Sequence, residues 1–139
     1  MRNRERLDPQ EALVCTMVLV AAADGGVTDR EIGTMTALVQ TLPIFRDFST
    51  ERLQVASDAA VRLLDEADGL NHAARLIRAS LNARLRETAY ALACDVVASD
   101  FEVGQESLQM LEFLASELDL DPLVAAAIER GVRVRQRTG

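Results

Sequence analysis

Two acidic turns hold the residues best suited to chemistry. The first runs Asp24-Gly25-Gly26-Val27-Thr28-Asp29-Arg30-Glu31, and the second Asp100-Phe101-Glu102-Val103-Gly104-Gln105-Glu106. Each follows an apolar, alanine-rich run and precedes an amphipathic one. Each sets an Asp at the end of one expected helix and a Glu in the first turn of the next. Carboxylates near helix N-termini can gather a hard cation through oxygen ligands, or meet a basic partner. If the turns converge, Asp24, Glu31, Asp100 and Glu102, with Asp29 and Glu106 as additions, form one site for a divalent cation. All-oxygen ligands favour Ca²⁺ or Mg²⁺ over zinc. The spacing is not that of an EF-hand loop, so a modest affinity is expected. A purely local reading stands beside this one. Glu31 completes a capping box with Thr28, and an Asp at a turn can satisfy backbone N–H groups.

Other chemistries find little support. His72 is the sole histidine and follows Asn71 at an expected helix start, which suits a surface or capping residue. There is no nucleophile-elbow pattern and no glycine-rich phosphate loop. Cys15 and Cys94 lie in apolar helical runs without metal-ligand spacing, so two buried, reduced thiols are expected. Asp95 interrupts an apolar helix. It either faces solvent or is a buried carboxylate needing an ion-pair partner, with Arg75, Arg78, Arg84 and Arg86 as candidates.

Charge narrows the partners. The net charge is −7, and all 15 basic residues are Arg. Seven of them sit at the two ends, leaving 8 Arg against 21 acids over residues 8–129. No basic residue falls between Arg86 and Arg130. The second half should therefore carry a negative face, and nucleic acid is disfavoured as a partner. With aromatics at 4% and no Trp, base-stacking surfaces are scarce as well. The Arg-rich ends could touch anionic lipid or a partner, or simply be charged and frayed.

The elements that must position the turns are all helical. Asp8-Pro9 opens a helix to about Ala23, ended by Gly25-Gly26. Thr28-x-x-Glu31 opens a second, with Ile32, Met35, Leu38 and Val39 as its apolar stripe, ended by Pro43. Phe45 and Phe48 are expected to plug the core. Ser49 or Thr50 caps a third helix with Leu53, Ala56, Ala60, Val61 and Leu64 inward, and Asp68-Gly69 breaks it. A fourth holds Ala73, Leu76, Ile77 and Leu81. A fifth spans about Arg84 to Ser99, and a sixth carries Leu108, Leu111, Phe113, Leu114 and Leu118. Asp121-Pro122 opens the last, through about Arg137. No run alternates as a strand. The fold class is thus all-α: one compact bundle of about seven helices over residues 1–139, with 1–7 and 135–139 frayed. The repeated acidic turn suggests two pseudo-equivalent hairpins near residues 10–41 and 85–118. The longest apolar run, Ala12 to Ala23, is too short to span a bilayer.

Two segments resemble the tellurite-resistance TerB family. They are Met17 through Glu31, whose helix ends in Ala23-Asp24-Gly25-Gly26-Val27-Thr28-Asp29-Arg30-Glu31, and Ala91 through Val103 with Glu106 and Leu118-Asp119-Leu120. The resemblance extends from about Ala12 to Leu123. In the second turn Phe101 replaces the glycine, and the Asp-to-Glu spacing is one residue shorter. The resemblance implies a helical domain of cytoplasmic bacterial proteins associated with resistance to tellurite and other stress. It implies acidic residues that take divalent metal, and partners that are membrane-associated or calcium-binding. No enzymatic activity comes with it. The expected function is therefore a non-enzymatic stress-resistance protein whose acidic turns bind a divalent cation, dock a protein partner, or both. The alternative is a metal-independent interaction module using its acidic face. The expected location is the cytoplasm, with peripheral attachment to the inner membrane open.

Overall fold

The computed structural model describes residues 6–100 and 103–139. Seven α-helices and one short 3-10 turn follow one another: α1 (Pro9–Ala21), α2 (Asp29–Thr41), the 3-10 turn (Pro43–Phe45), α3 (Thr50–Leu64), α4 (Gly69–Ser80), α5 (Ala83–Ala98), α6 (Gln105–Glu117) and α7 (Pro122–Arg135). No strand occurs among the described residues.

The core is built around α1. Every residue from Ala12 to Ala21 is buried. A helix that is apolar on all sides has no face to offer water, so it must be enclosed. Thr16 is the one polar residue in that stretch, and its hydroxyl donates to the Ala12 carbonyl at 2.8 Å. Helices α3, α4 and α5 surround α1, and α5 makes the most extensive contact with it. On its other side α5 carries α7 and also touches α2 and α6. The helices that precede the two acidic turns, α1 and α5, thus pack directly on one another. Phe45 and Phe48 are both buried, with ring centroids 5.5 Å apart.

The caps expected from sequence form. Asp8 and Thr28 each close a full capping box, with Glu11 and Glu31 as the reciprocal partners. Ser49 caps α3 by accepting from the Arg52 N–H, and Asp121 accepts from the Leu123 N–H ahead of α7. The α3–α4 corner depends on Gly69. A Cβ there would lie 2.4 Å from the Leu63 carbonyl oxygen and 2.7 Å from that of Leu64, both rigid backbone atoms.

Some inward assignments are corrected. Ile32, Val61 and Leu108 are 50%, 47% and 46% exposed. Each satisfies a helical period, but α2, α3 and α6 cover only part of their apolar arc because α1 is already enclosed. The chain ends are better held than expected at two points. The Leu7 N–H donates to Ser80 Oγ at 2.7 Å, and Arg135, the last residue of α7, binds Asp95 at 2.8 Å. This also corrects the choice of partner for Asp95. Arg78 and Arg86 are occupied elsewhere: the Arg86 guanidinium donates to the Leu81 and Arg78 carbonyls, and Arg78 reaches the Glu117 carbonyl.

Candidate functional site: two acidic turns joined at Thr28

The first turn occupies residues 22–28, between α1 and α2. Gly25 takes φ +104°, a left-handed conformation in which other residues are strained, so the chain can reverse within this short span. The reversal brings Thr28 to the N-cap of α2 and Glu31 to its third helical position. Glu31 Oε1 accepts from the Thr28 backbone N–H at 2.8 Å and lies 3.0 Å from Thr28 Oγ1. The Glu31 N–H donates back to Thr28 Oγ1 at 3.1 Å. Glu31 is only 1% exposed, which an ordinary surface capping glutamate is not.

The second turn meets this cap. Asp100 follows α5, and its Oδ1 lies 3.4 Å from Thr28 Oγ1. The Thr28 hydroxyl has a single proton and two carboxylates within reach, those of Glu31 and Asp100. It can donate to one of them at a time. When it donates to Asp100, Glu31 keeps the Thr28 backbone N–H as its donor; when it donates to Glu31, the half-buried Asp100 is left to solvent or a cation. The acidity of Glu31 reflects this. Burial is the largest influence and raises its pKa; the Thr28 hydrogen bonds pull it down; the charge and hydrogen bond of Asp100 raise it again. The net direction is upward.

Around this pair the remaining acids are less enclosed. Asp24, Asp29 and Glu106 are exposed. Asp29 and Glu31 share the first turn of α2, and Glu106 sits in the first turn of α6, where the helix dipole favours negative charge. The two turns end differently. Helix α6 starts from Gly104 without a side-chain cap, and Glu106 is its second residue, so Ser107 takes the position that Glu31 holds in α2. The Glu106 carboxylate folds back toward Gly104, where an added Cβ would lie 3.3 Å from Oε1. Glu102 falls outside the described residues. Among the described residues, no three or more His, Cys, Asp or Glu side chains form a group ready to hold a metal ion. The structure therefore joins Glu31 and Asp100 and leaves Asp24, Asp29 and Glu106 on the surrounding surface.

Thr28 is the member that sequence reading missed as more than a cap. Its signal was its place: a hydroxyl residue in a turn that, like its counterpart, opens with Asp. The cysteines behave as expected. Both are free and buried, and burial pushes each thiol up to about 12. His72 stays near the surface, with Nδ1 3.3 Å from Glu66 Oε1.

A bundle with a fully enclosed first helix, whose two acidic turns meet at one hydroxyl, defines an all-helical class of domain. No helix among the described residues is long and apolar enough to cross a membrane. The pattern of tellurite resistance protein TerB matches residues 10–130, and the chain belongs to the TerB family. It is a tellurite-resistance-type domain. No curated protein and no solved structure matches it.

Proposed function

We propose that this chain is a non-enzymatic stress-resistance module whose paired acidic turns take up a divalent cation, Ca²⁺ or Mg²⁺, and present the resulting surface to a protein partner of a stress-resistance system. The observation that carries the reading is the Glu31–Thr28–Asp100 junction: two carboxylates, one of them fully buried, with one hydroxyl proton between them. A cation at the mouth of the turns would relieve their repulsion, and exposed Asp24 and Asp29 stand on the same turn to supply further oxygens. Glu102 and Glu106 would add to it from the second turn. In this reading the carboxylates bind and orient, and none acts as an acid or base on a substrate. Calorimetric titration of metal-free protein with Ca²⁺, Mg²⁺, Mn²⁺ and Zn²⁺ tests it. Saturable heat with Ca²⁺ or Mg²⁺, and weaker response to Zn²⁺, is expected.

A second reading, the metal-independent docking module, is favoured by the exposure of Asp24, Asp29 and Glu106 and by the lack of a preformed metal-ligating group among the described residues. Exposed acids near helix N-termini suit a basic segment of a partner, and such docking weakens steeply with salt. Absence of heat with all four cations, together with salt-sensitive binding of a basic partner segment, would select it. The proposed setting is the cytoplasm. The Arg-rich ends would provide any peripheral attachment to the inner membrane.

A further inference from the structure

A cavity of about 770 Å³ lies among α5, α6 and α7 and reaches Val103 of the second acidic turn, with no acid of the candidate site among the described residues of its lining. Its walls are apolar: Val97 from α5, Leu108 and Leu111 from α6, and Ala125 and Val132 from α7. Leu108, which the period of α6 would turn inward, is among the more exposed large apolar residues of the chain. The cavity falls within the size range of small-molecule sites, and a single partner side chain would leave most of it empty.

Its polar groups are few. Tyr90, itself 1% exposed, donates its phenol proton to Glu129 Oε2 at 2.5 Å. Glu129 is half-buried, and Tyr90 is its one hydrogen-bond partner among the described residues. An ionised carboxylate can accept about four hydrogen bonds, so Glu129 retains capacity for N–H donors from a ligand. Glu112 adds a second negative charge to the lining. Arg133 is the only cation among the described residues of the lining, and it is exposed. The balance of charge thus opposes an anionic head group and favours a cationic one.

We propose that this cavity binds a small amphiphilic cation, with an apolar body held among α5, α6 and α7 and a primary ammonium on the Glu129 carboxylate. The apolar body supplies burial, and the ammonium supplies the donors that Tyr90 alone does not.

The test is a nuclear magnetic resonance titration of the full chain with octylamine, octanol and octanoate, each below its aggregation concentration. Octylamine should shift amides of α5, α6 and α7 saturably. Its Kd should be about tenfold lower than that of octanol, as expected for one charge-assisted hydrogen bond. Octanoate should bind no better than octanol. Glu129→Gln keeps an acceptor oxygen for Tyr90 and should bring octylamine to the level of octanol. Equal or tighter binding of octanoate would move the head-group site to Arg133 and overturn the proposal. So would an unchanged amine preference in Glu129→Gln. No saturable shift with any of the three ligands would leave the cavity to a larger partner and overturn it as well. If the variant fails to fold by circular dichroism, the order of the three ligands on wild type decides alone. None of these outcomes bears on cation binding at the acidic turns.

Discussion

The hydroxyl of Thr28 lies 3.4 Å from the carboxylate of Asp100, although 72 residues separate them in the chain. That contact joins the turn before α2 to the turn after α5. It rests on the packing of α1 against α5, since each turn begins where one of those helices ends. Because the same hydroxyl also faces Glu31, changes at either turn should be felt at the other.

Glu31 offers the first check. Its folded-state pKa is raised above the ordinary 4.5 by burial, against the pull of the Thr28 hydrogen bonds, so the folded chain binds this proton more tightly than the unfolded one. Stability from this group is then fullest below the ordinary carboxyl value and falls as pH rises through the raised one. Glutamine can serve in a capping box and has no charge to bury. Glu31→Gln should therefore gain on wild type in melting temperature as pH rises above the ordinary carboxyl value and through the raised one. Glu31→Ala removes the partner of the Thr28 N–H and should lose about 1–3 kcal/mol at any pH. A Gln variant that loses ground steadily toward neutral pH would show that the buried carboxylate is stabilising.

Much of this architecture was legible in sequence because it rests on local rules. Asp8-Pro9, Thr28-x-x-Glu31 and Asp121-Pro122 state their helix starts through capping geometry that involves neighbours only. The enclosed α1 was legible because no polar face interrupts it. What stayed hidden depends on distant partners. Asp95 finds Arg135, 40 residues on, because α7 lies along α5; no spacing encodes that. The burial of Glu31 does not show in its sequence, which reads as an ordinary cap. Ile32, Val61 and Leu108 obey a helical period yet face outward, because periodicity reports a face and not whether a neighbour covers it.

The Asp95–Arg135 pair ties the end of α7 to the last turn of α5. Asp95 is mostly enclosed, with its side chain 16% exposed, whereas that of Arg135 is 60% exposed. Solvent screening of the arginine keeps the pair modest, so a double-mutant cycle with Asp95→Ala and Arg135→Ala should give a coupling of about 0.5–1 kcal/mol. Hydrogen exchange in the last turn of α7 should quicken in both single variants. Zero coupling with unchanged exchange would mean that α7 is held by its apolar face alone.

The two thiols should be silent in the folded chain. Burial pushes both up to about 12, with Glu129 adding to the effect at Cys94. The reactive thiolate is then scarce at neutral pH. A disulfide-exchange reagent should label neither Cys15 nor Cys94 quickly in native protein and both promptly in denaturant. Fast native labelling of either would place its helix face wrongly.

The most direct measurement of the central claim is the melting temperature against Ca²⁺ or Mg²⁺ in wild type and in Asp24→Asn with Asp100→Asn. A ligand that binds only the folded chain stabilises it by about 2.7 kcal/mol when present at about a hundredfold over its Kd. The account predicts a rise in wild type that a chelator reverses and that the double variant lacks, with the metal-free variant no less stable than metal-free wild type. An unchanged rise in the double variant, or none in wild type at about millimolar cation, would contradict it.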